Sequence, residues 1–434
     1  MVRWPSRTKW SSSTSSFDLR RSLLRRAAAT IPRRHRGLAS HERGSDLKFA
    51  ALMTAVLAVM TIASSPAALR AAEPPDKLSA TVERTVRPLL AQHDVPGIAV
   101  GVTAGGQQYF FNYGVASKEA QKPVTQDTLF EIGSISKTFA ATLVTYGMAT
   151  GRLSLDDHTG KYMPALKGTA LDRATLLHLG TYTAGGLPLL FSAKIKSEAD
   201  AIAFLQKWKP SAAPGTQRRY SNPSIGLFGH VAALAMKGDY ADLVEAEILP
   251  KLGLAHTFIR VPQSAMPDHA QGYDRANQPV RAGSAPFADP AYGIKSSAAD
   301  MIRYLEINMR PETLEPSMRR AIEGTHIGYF KVGPMVQGLG WEQYPYPLPL
   351  ERLLAGNSDN MVFGPNAATA LKPPRVPAGA TLFNKTGSTR GFGAYAAFVP
   401  ARRIGVVILS NRNMPTPARI TAAHAILAAI TPTQ

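Results

Sequence analysis

The sequence contains no cysteine among its 434 residues. This absence excludes thiol nucleophiles, disulfide bonds, and metal or iron–sulfur sites built on cysteine. The ten histidines are scattered, and neither H-x-H nor H-E-x-x-H occurs, so the familiar zinc-binding patterns are missing. We therefore expect no catalytic metal and no cofactor, which leaves hydroxyls, lysine amines and carboxylates as candidate reactive groups.

Acidic residues are also few. Asp and Glu number 30 against 49 Lys and Arg, which gives a formal net charge of +19. The first 48 residues alone hold 12 basic side chains and three acidic ones. The remaining positive charge is spread over a long chain, which is typical of a solvated basic surface rather than a nucleic-acid-binding face. We expect no nucleic-acid partner and a mild preference for anionic ligands.

Long apolar runs are scarce, and the one near the N-terminus covers residues 49–63, FAALMTAVLAVMTIA. It follows Lys48 and precedes small residues, which is the pattern of a secretory signal peptide. A membrane-spanning helix needs ~20 apolar residues, so a buried N-terminal helix is the remaining alternative. We predict that residues 1–72 are leader and signal peptide, with the signal near 49–72. The mature protein is then periplasmic, with no stable membrane span.

Hydrophobic spacing in the rest of the chain predicts an α+β fold. The predicted elements are a helix at 76–92, strands at 97–103, 109–115, 381–385, 393–399 and 404–410, and a final helix opened by Pro415. We expect one antiparallel sheet built from both chain ends, flanked by the terminal helices, with a mostly helical lobe inserted.

These elements predict one catalytic unit at residues 73–434. Its sheet lobe would comprise about 73–130 and 291–434, and its helical lobe about 131–290. We expect the unit to be a monomer.

An S-x-x-K motif, Ser134 to Lys137, lies at the start of a predicted helix. The spacing puts an ammonium one turn from a hydroxyl, where it can hydrogen-bond the oxygen and help to remove its proton. The amides at a helix N-terminus also favour negative charge nearby. By itself the motif equally fits an ordinary polar helix start.

A second motif, Tyr220-Ser221-Asn222, falls in a predicted loop of the helical lobe. A tyrosine between two lysines would have a lowered pKa and could act as a general base. Asn222 could donate a hydrogen bond to a substrate amide. Without the other motifs, Tyr220 would fit a core aromatic.

The third motif, Lys385-Thr386-Gly387, lies on the first of the C-terminal strands. Lys385 supplies a second positive charge, Thr386 offers a hydroxyl to a carboxylate, and Gly387 allows close approach to the strand. Alone it would fit an exposed strand end. The order of the three motifs is more specific than any one of them.

With these motifs in this order, the sequence resembles the class C (cephalosporinase-type) β-lactamases of the penicillin-recognising fold. The resemblance runs from about Lys77 to the end and is carried by the stretches FEIGSISKTFAATL, LLHLGTYTAGGLPL, PGTQRRYSNPSIGLFG, AYGIKSS, QGLGWE and NKTGSTRGFGAYAAFVP. It implies that Ser134 is the acylated nucleophile, Lys137 its proton partner, and Tyr220 the general base held between Lys137 and Lys385.

The resemblance also implies binding roles for other residues. Asn222 would bind the substrate amide, Lys385 and Thr386 the substrate carboxylate, and the amides of Ser134 and Ser388 the oxyanion. Asn411 would contribute to substrate binding, and Glu342 and Tyr292 would line the cleft.

The sequence departs from the family pattern at two positions. Leu190 stands where the family usually has a glutamine, and Thr416 where it usually has a second asparagine, although Asn411 and Arg419 remain. Both departures concern substrate recognition. The run Ser358-Asp359-Asn360 is similar to the middle motif of class A enzymes, but it lies too near Lys385 to serve as one, and we predict a loop there.

The expected activity is hydrolysis of the β-lactam ring of cephalosporins and penicillins through an acyl-enzyme on Ser134. One alternative is an esterase or D,D-peptidase of the same fold, which Leu190 and Thr416 favour, although the G-x-S-x-G sequence of many such esterases is missing. The other is a binding or sensing protein that is acylated and not released. Such a sensing protein would be expected to lack Tyr220 or Lys385, and both residues are present.

Overall fold

The computed structural model of the chain describes residues 74–430. Most of its strands belong to one ten-stranded antiparallel sheet, to which both ends of the sequence contribute. In spatial order the strands are β14 (Thr369–Arg375), β10 (Gly328–Val332), β11 (Met335–Gly338), β12 (Glu342–Pro345), β15 (Thr381–Ser388), β16 (Gly393–Val399), β17 (Ile404–Ser410), β1 (Gly97–Ala104), β2 (Gln107–Ser117) and β3 (Lys122–Pro123).

The other strands are two residues long and tie loops together. They are β4 (Phe130–Glu131), β5 (Gln217–Arg218), β6 (Thr257–Phe258), β7 (Gly272–Tyr273), β8 (Pro279–Val280), β9 (Lys295–Ser296) and β13 (Asn366–Ala367). The α-helices are α1 (Asp76–Gln92), α2 (Ser136–Ala149), α3 (Leu176–Gly180), α4 (Glu198–Lys207), α5 (Asn222–Ala235), α6 (Tyr240–Leu243), α7 (Leu249–Lys251), α8 (Ala288–Tyr292), α9 (Ala298–Met309), α10 (Pro316–Thr325), α11 (Leu350–Gly356), α12 (Asp359–Phe363) and α13 (Thr416–Ala429).

The sheet is covered on both faces, which explains why β1 is apolar except for Thr103. Ile98 and its alternate neighbours on β1 belong to a core shared with α1 and α13. Ala99 belongs to the other core, together with Ile302 of α9. A strand buried on both faces has no reason to alternate with polar residues. The predicted α+β fold is confirmed, with α1 and α13 as the terminal helices.

Helix α2 is the central element of the helical side. Of its 14 residues 11 are buried, because it packs against α5, α8 and α10. Phe139 on α2 stacks on Tyr304 of α9 with ring centroids 4.3 Å apart. Protein therefore surrounds this helix on most of its faces. Its N-terminal end is therefore held rigidly against the sheet.

Element boundaries follow the prediction closely, and the differences among the predicted strands are extensions. β1 continues one residue further, to Ala104, and β2 covers Gln107–Ser117, two more residues at each end. β15 was predicted to end at Lys385 and instead continues to Ser388. The two-residue turn Gly105-Gly106 joins β1 to β2 with φ of 61° and 94° at its two residues, which glycine adopts without strain. The predicted leader and signal peptide lie outside the described residues. Within residues 74–430, no helix has the length and apolarity to cross a membrane.

Candidate active site

Ser134 lies in a single 3₁₀ turn, Gly133–Ile135, which leads directly into α2. Lys137, one turn further on, points back toward it, with Lys137 Nζ 2.8 Å from Ser134 Oγ. Lys137 is fully buried, whereas Ser134 is partly exposed and lines a large cleft. The structure therefore brings the hydroxyl and the amine of the S-x-x-K motif into direct contact.

The amine of Lys137 has three partners. Besides Ser134 Oγ, Nζ lies 2.7 Å from Asn222 Oδ1 and 2.7 Å from the carbonyl oxygen of Ala291. An ammonium would donate to all three. A neutral amine would donate to Asn222 and Ala291 and accept from the Ser134 hydroxyl, so both protonation states are fully satisfied. Burial lowers the pKa of Lys137 to about 8, so the neutral form is accessible and could take a proton from Ser134.

Tyr220 lies in the loop before α5, with its ring among three cations. The ring centroid is 5.1 Å from Lys137 Nζ, 5.2 Å from Lys385 Nζ and 5.4 Å from Arg218 Cζ. Burial alone would raise the pKa of Tyr220. The charges of Lys137 and Lys385 and the nearby Ser134 hydroxyl outweigh that effect, so its pKa lies below the ordinary value. A phenolate at this position could act as a general base.

Local hydrogen bonds fix the loop that carries Tyr220. Ser221 occupies the N-cap of α5, where its hydroxyl accepts from the amide of Ser224 at 3.1 Å and donates to the carbonyl of Pro188 at 2.6 Å. The amide of Asn222 donates to the carbonyl of Leu189 at 3.0 Å. The Y-x-N motif therefore combines a helix cap with a clamp on the neighbouring chain, and the cap sets where Asn222 begins the helix.

Strand β15 brings Lys385, Thr386 and Ser388 to the cleft. Lys385 is buried, with Nζ 3.6 Å from Glu342 Oε1 and 3.5 Å from Thr386 Oγ1. The pairing of β15 with β12 ends at Asn384, while pairing with β16 continues to Ser388. Along the described chain, the last four residues of β15 therefore have no strand partner on the β12 side. That edge can receive a bound ligand.

Two glycines bring this strand against the nucleophile turn. A Cβ on Gly133, whose φ is +51°, would lie 2.5 Å from the amide nitrogen of Ser388. A Cβ on Gly387 would lie 2.0 Å from the carbonyl oxygen of Ile132. No side chain fits at either position, so the backbone of the Ser134 turn and that of Ser388 lie next to each other. Two amides so close can serve one oxyanion.

Arg218 is a site residue that the sequence did not reveal. Its guanidinium is buried and donates to Gln337 Oε1 at 2.7 Å, to the carbonyl of Met361 at 2.6 Å and to Glu342 Oε1 at 3.4 Å. Glu342, predicted only to line the cleft, thus lies within ion-pair distance of Arg218 and Lys385. In the sequence, only its position two residues before Tyr220 could have marked Arg218 as a site residue.

The cleft encloses about 1200 Å³ and extends well beyond Ser134. Its far wall includes residues 354–359 and 361–363, so the run Ser358-Asp359-Asn360 borders the site. We predicted a loop there, and that prediction is wrong because Ser358 is the N-cap of α12. Serine is common at helix N-caps, although the Ser358 side chain makes no capping hydrogen bond here.

A second cavity of about 450 Å³ lies beside Asn222. Leu190, Phe191 and Tyr292 are among its lining residues, and the Leu190 side chain is 56 % exposed. Tyr292 thus lines this cavity rather than the main cleft. Asn222, which also lines this cavity, contacts Lys137 through Oδ1.

Asn411 does not reach the cleft, and its predicted role in substrate binding is wrong. Its side chain is fully buried. Oδ1 accepts from the amide of Gly97 at 2.7 Å, and Nδ2 donates to the carbonyls of Val115 and Ala116 at 3.0 and 3.2 Å. The side chain is thus occupied in joining β17 to β1 and β2. Asn413, two residues later, lines the cleft instead.

Thr416, the second departure from the family pattern, lines the cleft in front of a buried arginine. Arg419 Nη2 donates to Thr416 Oγ1 at 2.8 Å and to Ser388 Oγ at 3.0 Å. Burial lowers the pKa of Arg419 to about 10. Both hydroxyls therefore accept from a cation and can turn their own hydrogens toward the cleft.

Comparison with known proteins links this arrangement to one family. The sequence model of the family Beta-lactamase matches residues 82–431. A β-lactamase of Pseudomonas fluorescens is 52 % identical over 349 residues, which cover 80 % of this chain and 98 % of that protein.

Two solved structures extend the comparison to the fold. A D-alanine carboxypeptidase AmpC from Burkholderia cenocepacia is 48 % identical with a TM-score of 0.78, covering 82 % of this chain and 99 % of that one. A class C β-lactamase in complex with cefoxitin is 43 % identical with a TM-score of 0.79, covering 81 % and 99 %.

Proposed function

Because this chain belongs to the β-lactamase family, as a class C-type serine hydrolase, we propose that it opens the β-lactam ring of cephalosporins and penicillins through an acyl-enzyme on Ser134. The observation that carries this proposal is the convergence of Ser134, Lys137, Tyr220 and Lys385 at one cleft. No metal or cofactor takes part in the proposed reaction.

In the acylation step, Ser134 Oγ attacks the ring carbonyl and loses its proton to the Lys137–Tyr220 pair. The amides of Ser134 and Ser388 stabilise the negative charge that develops on the carbonyl oxygen. The C–N bond of the ring breaks, and the ring nitrogen takes a proton from Tyr220. The product of this step is an ester on Ser134.

In the deacylation step, a water molecule gives a proton to Tyr220 and attacks the ester carbonyl. The ester bond breaks, Ser134 regains its proton, and the ring-opened acid leaves. Asn222 would orient the substrate amide, while Lys385 and Thr386 would bind the substrate carboxylate.

Turnover of a chromogenic cephalosporin by the processed protein tests the activity. Ser134→Ala should lose ~10³-fold or more in kcat. The control is Ser136→Ala, because that hydroxyl lies two residues away and accepts from the amide of Ile294. Turnover that survives Ser134→Ala, or an equal loss in both variants, would overturn the assignment of the nucleophile.

A second candidate is acyl transfer on D-alanyl peptides or esters. It is favoured by the name of the Burkholderia cenocepacia relative, a D-alanine carboxypeptidase, and by exposed Leu190 in the cavity beside Asn222. Two ratios of kcat/KM decide between the candidates. One compares a cephalosporin with a peptide ending in D-alanyl-D-alanine, and the other compares the cephalosporin with a short-chain aryl ester. A value below one for either ratio would favour the second candidate.

We further propose that the protein is exported to the periplasm and that residues 1–72 are removed. The support is the apolar run at 49–63 with small residues after it. Intact mass and N-terminal sequencing of protein from a periplasmic extract test this. A mature chain that begins near Glu73 is expected, and a full-length chain in the cytoplasm would contradict it.

A further inference from the structure

A small cavity lies away from the active-site cleft, at the end of the sheet formed by the edge strand β14 and the strands β10, β11, β12 and β15. It encloses about 210 Å³, and none of the residues that line it also lines the cleft. We call it the β12–β15 cavity and define it by Lys331, Arg352, Arg375, Thr381, Gln343 and Tyr344. A water molecule occupies roughly 30 Å³ in the liquid, so there is room for a small ion with some of its hydration.

Three cations surround the β12–β15 cavity without a compensating acid. Lys331 on β10, Arg375 on β14 and Arg352 on α11 all line it, and no carboxylate does. Among the described residues, no salt bridge involves any of the three. Arg352 donates through Nε and Nη2 to the carbonyl of Pro334 at 3.3 Å, which leaves its Nη1 for another partner. Like charges that line one cavity repel one another unless an anion joins them.

The charge of Lys331 responds to this crowding. Partial burial and the nearby positive charges of Arg352 and Arg375 lower the pKa of Lys331. A bound anion would reverse the effect of those two charges.

Thr381, the first residue of β15, supplies an independent indication. It is only 3 % exposed, and its hydroxyl has no hydrogen-bond partner in the described protein. A buried hydroxyl without a partner costs free energy, and such groups are rare unless a ligand or water completes them. Thr381 lines the β12–β15 cavity, so this unpartnered hydroxyl lies beside the space that an anion would fill.

We propose that the β12–β15 cavity binds one compact oxyanion of the phosphate or sulfate class. Its oxygens would accept from the guanidinium groups of Arg352 and Arg375, from the ammonium of Lys331 and from the hydroxyl of Thr381. Arginine suits this role because its planar donors match tetrahedral oxyanions. The site lies four residues along β15 from Lys385, about 13 Å at the usual rise of a strand, and is distinct from the cleft.

Calorimetric titration of the folded chain with inorganic phosphate, in a low-salt chloride buffer, tests the proposal. Arg375→Gln removes one exposed cation, and Thr381→Val removes the hydroxyl with its shape kept. Each should weaken binding about tenfold or more, because hydrogen bonds to charged groups contribute that much. Phosphate that binds in the active-site cleft contributes equally in every variant, since none of these residues lies there. Cephalosporin turnover should remain unchanged.

A charge-matched control separates a site from general attraction to a basic protein. The triple variant Lys331→Gln, Arg352→Gln, Arg375→Gln should abolish the binding. The triple variant Lys167→Gln, Lys207→Gln, Lys209→Gln, which removes the same charge from exposed positions elsewhere, should preserve it. Equal loss in the two triple variants, or no saturable binding that depends on Arg375 and Thr381, would overturn the proposal.

A second calorimetric titration uses a phosphate monoester such as glycerol phosphate. Binding of both compounds would support recognition of a phosphoryl group in either source, and binding of inorganic phosphate alone would support a site for the free ion.

Discussion

At the scale of single residues, the hydroxyl of Tyr220 is the group on which proton transfer depends. Tyr220→Phe should lower kcat ~10²–10⁴-fold, since that is the usual contribution of a general base, while leaving the ring in place. The measurement is steady-state kinetics on a cephalosporin.

Tyr182 provides the matched control for that substitution. Its ring lies 4.8 Å from that of Tyr220, and its buried hydroxyl has no partner in the described protein. Tyr182→Phe should therefore change kcat by no more than about twofold, since no hydrogen bond is lost. A similar loss in both variants would show that packing, rather than the phenol of Tyr220, controls the rate.

The lowered pKa of Lys137 makes folding stability depend on pH. Below pH 8 both folded and unfolded chains hold the proton on Lys137, but between about 8 and 10.5 mainly the unfolded chain holds it. The unfolded state then binds more protons, so the free energy of unfolding rises with pH in this window. The lowered pKa of Tyr220 acts in the same direction.

Urea unfolding at pH 7.5 and 9.5 measures this dependence. The wild-type free energy of unfolding should gain about 2 kcal/mol between the two pH values relative to Lys137→Met. The exposed control Lys167→Met should keep the wild-type slope. If the wild-type protein and Lys137→Met have the same slope, Lys137 is not the source of the dependence.

At the scale of elements, the distance between β15 and the start of α2 is set by Gly387. A Cβ there would lie 2.0 Å from the carbonyl oxygen of Ile132, so Gly387→Ala must push the strand from the Ser134 turn. Displacements near 1 Å in a catalytic arrangement cost about 10²-fold in rate. We expect that loss in kcat, whereas Gly283→Ala, whose Cβ would enter open space, should retain activity.

Asn411 joins three strands, and its substitution belongs to the same scale. Asn411→Ala would leave the amide of Gly97 and the carbonyls of Val115 and Ala116 without their partners. The free energy of unfolding should fall by about 2–3 kcal/mol, with kcat/KM of the folded fraction unchanged. Asn413→Ala, at an exposed position in the cleft, should instead change the free energy of unfolding by no more than about 0.5 kcal/mol and should alter KM.

The contrast between Asn411 and Asn413 shows how far local patterns can predict a site. The motifs around Ser134, Tyr220 and Lys385 were visible because the chemistry needs those side chains and the family pattern keeps them in short motifs with a fixed order. Which asparagine faces a cleft depends on where β17 ends and which neighbours need hydrogen bonds. Arg218 was missed for the same reason, since its partners Gln337 and Met361 lie more than a hundred residues away.

At the scale of the whole molecule, the described residues 74–430 belong to one compact unit, and all the reactive side chains lie within it. We predict that a chain beginning at Glu73 folds and keeps kcat/KM within about twofold of the processed protein. A chain beginning at Pro96 should not fold stably, because it lacks α1 and the buried Leu78, Val82 and Val86. Far-ultraviolet circular dichroism and cephalosporin turnover check both. Full activity without α1 would contradict this division.

The sequence by itself determined the reactive groups, because the absence of cysteine limited the chemistry and three short motifs supplied a nucleophile, a phenol and two amines in a specific order. It also determined the terminal helices and five strands of the main sheet, since their apolar patterns are local. Only the tertiary structure decided which polar side chains reach the cleft, where cations gather without an acid, and how closely β15 approaches Ser134. Those features arise from contacts between residues far apart in the chain, and no local pattern encodes such distances.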